Sequence, residues 1–286
     1  MRFPAGPALL TYVGSRQLEA PHCVAHSEVP APRASAAIEP VRPGPVQRVF
    51  ERLTRCWKRP SVRASARFQF WRNLLAYTPR EEILDYAMHF VQESGLEGDY
   101  LEFGVFRGHT FAGAFHTAKR YGLDRMCFYA FDSFRGLPPS SGVDASGFRH
   151  FEQGSFACGQ PEFLANLRRE HLDLARVTAV PGWFHESLTD ELKQRLPLER
   201  AAVIWVDCDL YESTVPVLDF ITGYLQNGTV LIFDDWYCYR ADPNRGEQRA
   251  WREWRQAHPE YTSVEWRKIG WHGLALIVHR SEGSAG

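Results

Sequence analysis

Four acidic side chains close two apolar runs in this chain: Ala201–Val206 ends in Asp207-Cys208-Asp209, and Thr229–Phe233 ends in Asp234-Asp235. Short apolar runs that stop at polar turns, with a helix-like stretch between them, read as adjacent parallel strands joined by a crossover. Open parallel sheets bind ligands beyond the carboxyl ends of their strands. Asp207, Asp234 and Asp235 are therefore expected to converge on one sheet edge. Carboxylates so placed repel one another unless a positive group joins them, and hard divalent cations select oxygen. The expected centre is a metal site.

Upstream, the run Asp99-Tyr-Leu-Glu102-Phe-Gly104-Val-Phe106-Arg-Gly108-His109-Thr110 is a strand entering a glycine turn, with Phe111, Ala114, Phe115 and Ala118 marking a helix behind it. Glycine lets a ligand approach the backbone, and a helix start offers free N–H groups to an anion. A nucleotide-like ligand fits there; a plain strand-to-helix corner is the competing reading, since G-x-x-x-G is not the dinucleotide fingerprint. The next strand, Met126–Phe131, ends in Asp132 followed by Ser133. An acid at the end of the second strand is the usual partner of ribose hydroxyls, and otherwise a turn cap. Trp183, at the end of a third strand over Arg176–Val180, either stacks on a purine or lies buried under a loop. The Gly-, Pro- and Ser-rich stretch from Arg135 to Gly159, carrying His150 and Phe151, has the length of a substrate lid or a disordered loop.

The elements that position these residues are legible. Thr78-Pro79-Arg80-Glu81 combines a Thr cap, Pro at the first helical position and a reaching Glu, and Ile83, Leu84, Ala87, Phe90 and Val91 form the buried stripe of a scaffold helix ended by Gly95. Gln160–His171 is a further helix. Ser213 or Thr214 is the expected cap of the helix between the central strands, and Asn227-Gly228 closes it. Tyr261–Arg267 and Gly273–His279 alternate as a closing strand pair. One helix, five β-α units and two last strands make an α/β three-layer sheet.

Residues 1–44 are Pro- and Ala-rich without periodicity and read as a disordered or extended arm; 45–95 as N-terminal cap helices; 96–280 as the main domain; 281–286 as a frayed tail. From Val46 the apolar residues Val49, Phe50, Leu53 and Trp57 recur among Arg48, Arg52, Arg55 and Lys58. This basic helix is either a solvated face or a surface for membranes and anionic partners. The 286 residues carry a formal charge of −1, which gives no pull toward nucleic acid. Six cysteines without a C-x-x-C pair read as free thiols, and no apolar run is long enough to span a bilayer. The expected location is the cytoplasm.

Several motifs occur together in one order: Leu101-Glu-Phe-Gly-Val-Phe-Arg-Gly, Phe131-Asp-Ser-Phe-Arg-Gly-Leu-Pro, Pro181-Gly-Trp-Phe, Val206-Asp-Cys-Asp-Leu-Tyr-Glu-Ser-Thr and Phe233-Asp-Asp-Trp. In this the chain resembles the macrocin O-methyltransferase (TylF-type) family over roughly residues 79 to 280. Cys208 stands where the family usually has Gly, and Trp236 where Tyr is common. The resemblance implies a Rossmann-like seven-stranded methyltransferase sheet with the last strand antiparallel. It further implies S-adenosylmethionine and Mg²⁺ as cofactors, and methyl transfer to a hydroxyl of a sugar or sugar-bearing natural product. The cofactor would lie on Glu102, Gly104, Phe106, Gly108, His109, Thr110, Asp132, Ser133 and Trp183, with Asp207, Asp234 and Asp235 as metal ligands. Asp207 is the first candidate base and His150 the second; His109, His185 and His272 otherwise read as structural. A homo-oligomer is compatible with this reading.

Two rival functions are weighed against it. Asp207-Cys208-Asp209 also matches the D-x-D pattern of metal-dependent glycosyltransferases, which does not require a second acidic pair one strand later. A non-catalytic, methyltransferase-like binding domain would have no need of so repulsive a cluster.

Overall fold

The computed structural model describes residues 78–281 except 140, 146, 147 and 149. The proline-rich arm, the basic helix from Val46 and the tail beyond Ser281 lie outside the described residues.

Helix α1 (Pro79–Glu93) begins with the expected capping box, Thr78 Oγ1 accepting from Glu81 N–H and Glu81 reaching back to Thr78 N–H. It buries Ile83, Leu84, Ala87, Met88 and Val91. The chain then alternates: β1 (Asp99–Phe103), α2 (His109–Arg120), β2 (Phe128–Asp132), α3 (Gln160–Arg169), β3 (Val177–Pro181), the short α4 (Phe184–Ser187) and α5 (Asp190–Arg195), β4 (Ala201–Val206), α6 (Tyr211–Ile221), β5 (Thr229–Phe233), α7 (Gly246–Ala257), β6 (Tyr261–Ile269) and β7 (Gly273–Arg280). The sheet order is β3-β2-β1-β4-β5-β7-β6, with β7 antiparallel to both neighbours and the first five strands parallel. The order reverses between β1 and β4, and the carboxyl ends of these two strands carry the glycine turn and Asp207.

Every residue of β4 and β5 is buried, because helices cover both faces of the sheet centre. That explains the unbroken apolar runs, and the abrupt acids mark where the cover ends. β7 is likewise buried from Gly273 to Leu276, lying between β5 and β6, and the expected alternation is seen only over residues 261–264 of the edge strand β6, before the register shift between Glu265 and Arg267.

One further expectation is corrected. Neither Ser213 nor Thr214 caps α6; Thr214 Oγ1 bonds Leu210 O inside the first turn. The cap comes from the loop after β2: Asp144 Oδ2 accepts Tyr211 N–H at 2.6 Å, and its Oδ1 accepts Gly246 N–H, at the start of α7, at 3.2 Å. One buried carboxylate thus ties the long loop to two helix starts, where orphan N–H groups favour an anion.

Candidate active site

The carboxyl ends of the strands open into a cavity of about 740 Å³. Its wall includes the residues after β1, β2, β3, β4 and β5, parts of the loop after β2, and the turn between β6 and β7. At its floor the structure brings Asp207, Asp234 and Asp235 together, with one oxygen from each within 4.8 Å of the others. Asp207 and Asp234 sit one residue past β4 and β5, and the parallel ladder pairs Val206 with Phe233. Convergence follows from that register.

The cluster runs deeper than three residues. Asp209 is 6% exposed at φ +61°, and its carboxyl lies within hydrogen-bonding reach of Asp235. Glu247, from the first turn of α7, is buried and accepts Asp235 N–H at 2.9 Å. Asp235 Oδ2 and Glu247 Oε1 are buried without a hydrogen-bond partner. Burial, followed by the charge of Asp234, pushes the Asp235 carboxyl up to about 6. Burial and mutual repulsion raise Asp207, Asp209 and Glu247 well above the usual carboxylate range. Such a group of acids can hold protons or a cation.

Arg80 enters this centre from α1, a helix that the sequence marks only as scaffold. Its Nε donates to Asp234 Oδ1 at 2.9 Å, its Nη2 donates to Asp234 Oδ2, and Nη2 stands 3.9 Å from Asp207 Oδ2. A cation in the first turn of a helix opposes the macrodipole, and that was the available sign of a distant acidic partner. Glu247 and Asp144 gave no comparable signal.

The glycine turn lies beside the acids. Gly104, at φ +87°, carries the chain so close to β4 that a β-carbon would fall 2.0 Å from Asp207 O. Gly108 does not reach the cavity wall; a side chain there would meet Phe163, and its φ of +82° favours glycine. Glu102 lines the cavity floor while remaining 1% exposed; burial pushes its carboxyl up to about 8, partly offset by the Tyr100 hydroxyl bond at 2.6 Å.

Asp132 lines the cavity, and its oxygens accept from Val105 N–H (2.8 Å), Phe106 N–H (3.1 Å) and Phe134 N–H (2.7 Å). It therefore builds the turn, whatever else it binds. Ser133 has a similar local part: its hydroxyl donates to Gly136 O at 2.9 Å and accepts Arg135 N–H at 3.0 Å. Phe106, His109, Thr110 and Trp183 all line the cavity, and Trp183 is half-buried rather than covered by a loop. His150 is exposed on the long loop, its ring 5.4 Å from Phe148. Of the histidines read as structural, His272 is one, with Nδ1 2.6 Å from Asp234 O; His109 and His185 are exposed on the wall.

The profile of macrocin-O-methyltransferase (TylF) matches residues 75–273. The chain belongs to the macrocin-O-methyltransferase family. Among its relatives, 8-demethyl-8-(2,3-dimethoxy-alpha-L-rhamnosyl)-tetracenomycin-C 4'-O-methyltransferase of Streptomyces olivaceus is 32% identical over 161 residues, 55% of this chain and 60% of that one. Mycinamicin III 3''-O-methyltransferase of Micromonospora griseorubida is 28% identical over 201 residues, covering 67% of this chain and 75% of the relative. The crystal structure of CalS11, a calicheamicin methyltransferase, superposes with a TM-score of 0.62 at 22% identity, over 83% of this chain and 94% of that chain. That likeness shows a shared Rossmann-like methyltransferase fold. No helix among the described residues is long and apolar enough to cross a membrane.

Proposed function

We propose that this chain is an S-adenosylmethionine-dependent O-methyltransferase acting on a sugar hydroxyl of a glycosylated natural product, with Mg²⁺ held by Asp207, Asp234 and Asp235. The observation that carries the reading is the meeting of three carboxylates, one oxygen each within 4.8 Å, beside the Gly104 turn. The donor set suits a hard cation, and the unpartnered buried oxygen of Asp235 is what such an ion would satisfy. A relative named for O-methylation of a rhamnosyl-bearing tetracenomycin supports the acceptor class. Asp209, the second acid of the D-x-D pattern, is buried and is not among the three carboxylates whose oxygens converge, which supports this reading over a D-x-D glycosyltransferase.

When bound, the cofactor supplies an electrophilic methyl group, and the cation lowers the pKa of a coordinated hydroxyl. The chain supplies the rest. Glu102, Gly104, Phe106, His109, Thr110, Asp132, Ser133 and Trp183 form the cofactor wall, with Gly108 supporting the turn from behind. Asp207 keeps 26% of its side chain exposed and lines the cavity, which suits a base that accepts the hydroxyl proton. His150 stands second, on the loop over the cavity. Fixing hydroxyl and methyl donor in line provides the main rate gain.

Residues 96–280 form the catalytic domain in this reading, with α1 as the last cap helix. The free thiols Cys127, Cys158, Cys208 and Cys238 suit a reducing, cytoplasmic setting. The test is methyl transfer from isotopically labelled S-adenosylmethionine to host extracts and to rhamnosylated acceptors, read by mass spectrometry. Transfer that is lost with chelator and in Asp234→Ala is expected; transfer indifferent to both would remove the cation from the mechanism.

A further inference from the structure

Arg80 places a fixed positive charge inside the acidic centre. Its guanidinium fork occupies both oxygens of Asp234 and leaves Nη2 3.9 Å from Asp207 Oδ2. His272 Nδ1 stands 3.7 Å from the same Asp234 Oδ2. Asp234 is 1% exposed, whereas Arg80 keeps 45% of its side chain in solvent. The aspartate is fixed in place, and the arginine has room to move.

This geometry sets two effects against an incoming cation. A metal ligated by Asp234 must take over or share an oxygen that already accepts from the guanidinium. It also meets a like charge a few ångströms away, in a pocket where screening is incomplete. The charges balance all the same: three carboxylates, one guanidinium and one divalent ion sum to zero, so Arg80 allows an ion of charge two without leaving the centre strongly negative. Removing Arg80 would leave an excess negative charge and free both Asp234 oxygens.

We infer that Arg80 is a positioning residue that competes with the divalent cation for Asp234 and thereby sets how tightly the ion is held. The inference rests on the cation-dependent reading of the triad given above. It assigns a role to a side chain that touches two of the proposed ligands, and it separates Arg80 from a merely structural anchor of α1, whose loss would not tighten metal binding.

The experiment is titration of the purified full-length chain with Mn²⁺, following the free ion by electron paramagnetic resonance. Wild type is compared with Arg80→Ala and with Arg80→Gln, which keeps much of the stem. Binding at least about tenfold tighter in the variants is expected. Equal or weaker binding in folded variants, with wild type binding, overturns the competitor role and leaves the cation reading intact. No binding by wild type or either variant, in protein that S-adenosylmethionine still stabilises against heat, overturns the cation reading and this inference together. Adding Asp207→Asn to Arg80→Ala is expected to abolish the gain; a gain that persists would put the ion elsewhere and overturn the assignment.

Discussion

A β-carbon on Gly104 would lie 2.0 Å from the carbonyl oxygen of Asp207. The turn that follows β1 thus rests against the first residue beyond β4, and Asp207 N–H donates to Phe103 O at 2.8 Å. The glycine turn and the acidic centre are parts of one packed edge.

Gly104→Ala should therefore cost more than a left-handed backbone alone. A clash with main chain cannot be relieved by rotating a side chain, and a loss of roughly 3 kcal/mol or more is expected. Gly122, at φ +70° with no atom within 4 Å of where a β-carbon would stand, is the control. Gly122→Ala should lose only about 1 kcal/mol. Denaturant melts of the two variants make the comparison, and equal losses would contradict it.

Asp144→Ala removes the acceptor for two helix starts, Tyr211 N–H and Gly246 N–H. At about 1 kcal/mol per cap, a loss of roughly 2 kcal/mol is expected. Asp144→Asn retains one acceptor oxygen and should fall between. Chemical denaturation measures both.

The acidic centre should link stability to pH and cation. The Asp235 carboxyl is raised from 3.8 to about 6 by burial and the Asp234 charge. A carboxyl whose pKa is higher folded than unfolded favours the fold while protonated; that contribution is complete below pH 3.8 and is lost as pH rises through about 6. Above that pH the repelling charges remain, and an ion that joins them restores stability. Mg²⁺ is expected to raise the melting temperature more at pH 8 than at pH 5.5, as scanning fluorimetry would record. A cation effect that is equal at both values would contradict the linkage.

Glu102 offers a second titration. Its carboxyl is pushed up to about 8, chiefly by burial, so it is largely protonated at neutral pH. If it receives the ammonium end of S-adenosylmethionine, whose α-amino group itself loses its proton at about pH 8, cofactor affinity in wild type should rise from about pH 6 to a maximum at about pH 8 and fall above it. Glu102→Gln, close in shape to the protonated acid, should fold normally, lose the rise on the acid side of the maximum, and bind the cofactor at least about tenfold more weakly at pH 8. Calorimetry at several pH values distinguishes these outcomes.

Much of this molecule was written into local sequence. The strand ends before Asp207 and Asp234 are legible because burial on both sheet faces demands continuous apolar runs, and the first polar residue marks where the helices stop covering them. The capping box of α1 is legible because all of its contacts span three residues. Parallel pairing then required the acids to meet. Tertiary structure alone decided which other charges meet them: Arg80 lies 154 residues from Asp234, and Asp144 lies 67 and 102 residues from the N–H groups it caps. Such contacts leave no periodicity in the chain, because a side chain that crosses between elements is positioned by their packing and not by its neighbours in sequence.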